Sequence, residues 1–203
     1  MNTEELDDTY LTIQHVSEGL FKDRSSKFFY FAFPVRTEDQ IKEKLADLRK
    51  TYYDARHHCY AYALGKEAEI FRAVDDGEPN HSAGDPILGQ IRSHNLTNIL
   101  IVVVRYFGGT KLGMSGLIQA YKTAAALAIE ENEIVEEKVL ETVRIKFQYP
   151  AMNEVMKLVK SHELEITDQE MALDCKMTIE FRKGIEPILI ESLNEIEELE
   201  ILT

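Results

Sequence analysis

The feature that most constrains the fold is a repeated change of hydrophobic period in the last third of the chain. Val143, Ile145, Phe147 and Tyr149 alternate with polar residues, the pattern of a half-buried strand. Pro150 suits the first turn of a helix, and Met152, Val155, Met156 and Val159 follow at helical spacing. Leu164 and Ile166 alternate again, and Leu173, Cys175, Met177, Ile179 and Phe181 form the cleanest period-two run in the sequence. Pro187 then opens a second helix with Leu189, Leu193 and Ile196 on one face, and Leu199 and Ile201 close with a short strand. The order β-α-β-β-α-β is the ferredoxin-like plan. The charged stretch Glu130–Lys138 places a domain boundary near Glu136, giving domains 1–136 and 137–203.

The first 135 residues also mix strands and helices. Strands are expected over Tyr10–Val16, Lys27–Val35, Cys59–Leu64, Ile70–Val74 and Ile99–Arg105. Thr37 and Gln40 have capping-box spacing ahead of an amphipathic helix marked by Ile41, Leu45 and Leu48. Ser82 is placed to cap a helix from about Ala83 to His94, and Met114, Leu117, Ile118, Tyr121, Ala124, Ala125 and Ala128 give a long helix one apolar face.

Eight of the ten glycines lie between Gly65 and Gly116, so tight turns and close backbone approaches concentrate there. Asp75-Asp76-Gly77-Glu78-Pro79 follows a strand and carries three carboxylates in four positions, which repel one another unless Mg²⁺, an arginine or backbone amides sit among them. A solvated acidic turn is the bland alternative. Arg105-Tyr106-Phe107-Gly108-Gly109-Thr110-Lys111-Leu112-Gly113 joins a buried strand to the long helix. Such a junction aims free amides at one spot, which suits an anion, and Arg105 and Lys111 add positive charge. The spacing is that of neither a P-loop nor a dinucleotide fingerprint, and glycines that merely pack helix on sheet are the alternative. In Asp54-Ala55-Arg56-His57-His58-Cys59 neighbouring side chains alternate in direction, so at most His57 and Cys59 share a side, too few for a metal site; Arg56 or His57 facing an anion fits better. No nucleophile elbow is present, and Ser82 and Ser115 read as helix caps, so no catalytic residue is assigned.

Charge limits the partners. The net charge is −13, with −8 of it from Glu136 onward, which argues against broad wrapping of nucleic acid or an anionic membrane while leaving room for a local basic pocket. The longest purely apolar run, Ile99–Val104, has six residues and cannot span a bilayer, and the acidic start of the chain lacks the apolar core of a signal peptide. Two cysteines, Cys59 and Cys175, read as reduced thiols of a cytoplasmic protein rather than a disulfide scaffold. Nothing in the composition fixes an oligomeric state.

With Ala83-Gly84-Asp85-Pro86-Ile87-Leu88, these three motifs follow in an order and spacing that resembles the signature of the IMPACT family, over about 80 residues from Asp54 to Lys122. The resemblance implies an α+β protein with an N-terminal domain of the ribosomal protein S5 domain 2-like fold. It implies a ferredoxin-like C-terminal domain similar to the last domain of elongation factor G. Eukaryotic relatives regulate translation by restraining a starvation-responsive initiation-factor kinase, and some bacterial relatives carry a dipeptidase label for which no metal-ligand set is read here. The chain departs from the family at Asn80-His81-Ser82, where Ser-Gly-Thr is usual, and at Met114-Ser115-Gly116-Leu117. Gln119 stands where a basic residue is common, so one pocket cation is missing.

Three readings follow. One is a non-enzymatic factor associated with RNA or the ribosome that binds an anionic group through Arg56, His57, Arg105, Tyr106, Gly108, Gly109, Lys111 and Gly113. The second is a binder or enzyme of a phosphorylated metabolite, with Mg²⁺ held by Asp75, Asp76 and Glu78. The third makes the motifs structural, with Asp76 paired to Arg56 or Arg105, and the protein working through a protein-binding face.

Overall fold

A computed structural model describes residues 8–172 and 174–202. They divide into two compact units, one of residues 10–137 and one of residues 8–9 with 138–202.

The larger unit is built on a five-stranded antiparallel sheet of order β2-β3-β6-β4-β5. Its strands are β2 (Ser17–Asp23), β3 (Ser26–Pro34), β4 (His57–Leu64), β5 (Ile70–Val74) and β6 (Ile99–Tyr106). Helices α2 (Gly84–Ser93) and α3 (Gly113–Glu130) cover one face through Ile87, Ile91, Tyr121 and Ala124, packed on Phe28, Tyr30, Cys59 and Val103. Helix α1 (Glu38–Thr51) covers the other through Ile41, Leu45 and Leu48, packed on Phe31, Phe33, Tyr62 and Val102. Burial on both faces is why β6 reads as a continuous apolar run instead of an alternating one. The alanines of α3 allow it close to the sheet, and Ala120, Ala124, Ala125 and Ala128 are all buried. The α1 cap forms as expected: Thr37 Oγ1 accepts from Gln40 N at 3.2 Å. The Gln40 side chain reaches one residue further back than a standard capping box, to Arg36 N at 2.6 Å.

Two strands escaped the sequence reading. β2 exposes Glu18, Leu20 and Lys22 and carries Gly19, and β7 (Ile134–Lys138) lies inside the charge run read as a boundary. β7 pairs with β1 (Thr9–Ile13) in a two-stranded ribbon. Gln14 N donates to Glu133 O and Val139 N to Asp8 O, so the ribbon is antiparallel.

The second unit carries β8 (Leu140–Gln148), α4 (Met152–Ser161), β9 (Glu165–Met171), β10 (Asp174–Arg182), α5 (Glu186–Asn194) and β11 (Leu199–Leu202). Its sheet is antiparallel with order β11-β8-β10-β9. That is the β-α-β-β-α-β sequence read from periodicity, with Leu173 lying outside the described residues. Cys175, Met177, Ile179 and Phe181 point into one core with Val155, Val159, Leu189 and Leu193. Met156, expected inward, is exposed.

Candidate functional site

The glycine-rich region gathers at one end of the five-stranded sheet, where β3 and β4 begin and β6 ends. Antiparallel register sets Arg105 opposite both Phe28 and His57, and Tyr106 opposite Lys27. Opposed residues share a face, so Arg105 and His57 turn toward the α2–α3 side, while Tyr106 and Lys27 turn toward the α1 side.

Arg105 is buried. Its Nη1 donates to Glu78 Oε1 at 2.7 Å, and both side chains are under one-tenth exposed. Tyr121 OH donates to the same carboxylate oxygen at 2.8 Å. Nη2 lies 3.4 Å from Ser26 Oγ, and the guanidinium stands 5.5 Å from the Phe28 ring centre and 5.8 Å from that of Phe107. Cys59 Sγ donates to Asp75 O and lies 3.3 Å from Tyr121 OH. Burial pushes the Cys59 thiol far above its usual range, and burial with Cys59 and Glu78 beside it does the same to Tyr121. Neither is a nucleophile at neutral pH.

The acidic loop is equally committed. Asp75 Oδ1 accepts from Ala83 N and Gly84 N at 2.9 Å each, and Oδ2 from His81 N at 2.8 Å. Burial alone would raise this carboxyl, but the three backbone N–H groups outweigh it and hold the group below its ordinary value. Asp75 is therefore the cap of α2. Ser82, expected in that role, instead donates to Pro79 O, and Ser115 lies inside the first turn of α3. Asp76 accepts from His58 N at 2.7 Å and stands 3.7 Å from Arg49, so the expected pairing of Asp76 with Arg56 or Arg105 is replaced by Glu78 with Arg105. Burial lowers the His58 pKa, with Asp76 opposing. The three carboxylates proposed for Mg²⁺ thus face three separate sets of protein donors.

In the glycine-rich loop, Gly108 N donates to Ser26 Oγ at 3.2 Å. A Cβ at Gly108 would sit 2.0–2.2 Å from the backbone of Ser25 and Ser26, so this position admits only glycine. The surface it presses on is the β2–β3 turn, where Arg24 and Ser25 both have positive φ. Gly109 and Gly113 also have positive φ, +91° and +73°. Lys111 is exposed and does not line the cleft described next.

Two adjoining concavities of about 350 and 390 Å³ lie on either side of a ridge formed by Tyr106 and Phe107. One is floored by Arg56, His57 and Arg105, the other by Lys27, Phe29 and Tyr52, and Asp54 borders both. Tyr106 OH donates to Asp54, and burial with that bond pushes the phenol up to about 12. His57 Nδ1 donates to Asp76 O at 3.0 Å, which leaves Nε2 for the cleft. Among the described residues neither Lys27 nor Arg56 is paired with a carboxylate, and Phe107 is 56% exposed. Of the residues expected to bind an anion, the fold brings Arg56, His57, Arg105 and Tyr106 to one cleft. It commits Asp75, Asp76 and Glu78 to protein donors and leaves Lys111 outside. Sequence reasoning missed Lys27, Tyr52 and Phe107. Phe107 sits within the quoted loop and Lys27 opens an expected strand, whereas Tyr52 follows helix α1 with no pattern to mark it.

A family model described as Impact N-terminal domain matches residues 24–129. The IMPACT family member YvyE of Bacillus subtilis is 32% identical over 147 residues, covering 72% of this chain and 68% of that protein. A Thermus thermophilus IMPACT family member is 36% identical over 142 residues, covering 69% and 75%. Human Protein IMPACT is 31% identical over 115 residues, covering 54% of this chain and 35% of its own length. A crystal structure of a hypothetical protein superposes over 97% of both chains with a TM-score of 0.75 at 22% identity, a likeness of fold alone.

Proposed function

The chain belongs to the IMPACT family, and on that footing we propose that it is a non-enzymatic, translation-associated factor that binds single-stranded RNA at the Tyr106–Phe107 ridge. The observation that carries the reading is the pairing of unspent cations with an exposed ring. Arg56 and Lys27 have no carboxylate partner among the described residues and stand on opposite sides of Phe107. A phosphodiester follows the cations and a base stacks on the ring, the usual economy of single-strand recognition. His57 Nε2 and the Arg105 edge add polar contacts. The domain names S5 domain 2-like for residues 1–136 and ferredoxin-like for 137–203 belong to the same reading. They are supported by the observed strand orders and accord with a place in translation. The net charge of −13 keeps the contact local and salt-sensitive. Engagement of Asp75, Asp76 and Glu78 by protein donors speaks against a Mg²⁺-dependent metabolite site.

The test is titration of the full chain with a short single-stranded RNA across a salt series. Binding should weaken with salt, Arg56→Ala should reduce the slope of log K against log salt by about one, and Phe107→Ala should cost about 1–3 kcal/mol of binding. Absence of binding at low salt, or binding indifferent to both substitutions, would sink the proposal.

A further inference from the structure

A second concave surface lies on the same unit, away from the ridge. β5 is an edge strand, so among the described residues the backbone groups on its outer side have no strand partner. It runs alongside α2, whose first residues abut Ala73 and Val74. Between them is a groove of about 520 Å³ lined by Phe71, Ala73, Leu88, Gly89 and Arg92, with Arg72 and Asp85 at its margins. Phe71 is 51% exposed. A Cβ added at Gly89 would meet nothing within 4 Å, so the groove is open at that position.

The charge of this groove opposes that of the chain. Arg92 stacks over Phe71 at 4.4 Å, and Arg72 occupies the middle of β5. Among the described residues neither arginine is within ion-pair distance of a carboxylate, while Asp85 is already bound to His81 Nδ1 at 2.6 Å. Side chains alternate along β5. Phe71 and Ala73 face α2, whereas Arg72 faces the opposite side of the sheet with Tyr62, its cross-strand partner. A strand added outside β5 would inherit that alternation, setting one set of its side chains into the groove and the other beside Arg72.

We propose that the β5–α2 groove takes an extended segment of a partner protein in which apolar and acidic side chains alternate, added as a further strand of the sheet. The apolar side chains lie on Phe71, Leu88 and Gly89, and a carboxylate lies opposite Arg72. A second copy of this chain fits less well. The twofold register that pairs all five residues of β5 sets Arg72 against Arg72, and like charges directly opposed destabilise a ladder.

The experiment is fluorescence anisotropy of the full chain with a labelled peptide of about eight residues alternating valine and glutamate, beside one alternating valine and lysine. The glutamate peptide should bind at least about tenfold more tightly. Gly89→Leu fills the groove without touching the core and should abolish binding, and Arg72→Glu should reverse the preference. RNA affinity should be unchanged in both variants, which separates this surface from the ridge. Failure of the glutamate peptide to bind, equal affinity for the two peptides, or binding that survives Gly89→Leu would overturn the proposal. A dimer in sedimentation that Gly89→Leu dissolves would overturn it too, by assigning the groove to a second copy.

Discussion

Arg105 and Arg56 border the same concavity, yet they occupy opposite physical regimes. Arg105 is withdrawn from water against Glu78, Ser26 and the Phe28 ring. Arg56 is exposed and has no carboxylate partner among the described residues. A cation in the first setting holds the fold, because its removal strands a buried carboxylate. One in the second is held by nothing and remains available to a ligand. A motif rich in charged residues and glycines can therefore be half architecture and half binding surface, and burial is what divides it.

That division can be broken first at the ion pair. Arg105→Ala should cost about 3–5 kcal/mol in urea unfolding, since the buried Glu78 carboxylate loses its cation and keeps only the Tyr121 hydroxyl; a loss under about 1 kcal/mol would make Arg105 as free as Arg56. The glycine loop sharpens the contrast at lower cost. Gly108→Ala forces a Cβ into the Ser25–Ser26 backbone and should lose about 3 kcal/mol or more. Gly109→Ala meets open space and suffers only from its positive φ, about 1 kcal/mol. Equal losses at the two positions would remove the close approach as the reason for Gly108.

The next effect is read through acid. Asp75 has a depressed folded pKa, so its contribution is complete above its ordinary value of 3.8 and is lost as pH falls through the lower folded value. Asp75→Asn should cost about 1 kcal/mol at neutral pH, as expected for a helix cap, and should flatten the acid limb of stability against pH below about pH 4. An unchanged acid limb would show that another group caps α2. Arg56→Ala is the smallest of the series, with stability within about 0.5 kcal/mol of the parent, its consequence appearing only in RNA binding.

The second unit was the easier to read from sequence. Its strands are buried on one face only, so period-two runs such as Cys175, Met177, Ile179 and Phe181 state their orientation directly. β2 and β7 were illegible for the converse reason. β2 alternates, but its exposed side chains and Gly19 give it the look of a loop, and Glu136, Glu137 and Lys138 give β7 the look of a linker. At the site, residue types were legible and partners were not. Arg105 meets a carboxylate from 27 positions away, and the α2 cap comes from Asp75, eight residues before Ala83, past a nearer serine with the right chemistry. Local propensity has no access to bonds that only the assembled sheet makes.

The antiparallel pairing of β1 with β7 has a consequence for the path of the chain. The bond from Val139 N to Asp8 O brings the points where the polypeptide enters and leaves residues 10–137 side by side. In topological terms the whole segment is an excursion, leaving and rejoining the backbone at nearly one place. Segments with adjoining ends can be spliced into another chain, or have their own ends joined and a new opening cut elsewhere, without rerouting what lies on either side. The ribbon that looked like a charged linker is in effect the clasp that makes this piece portable.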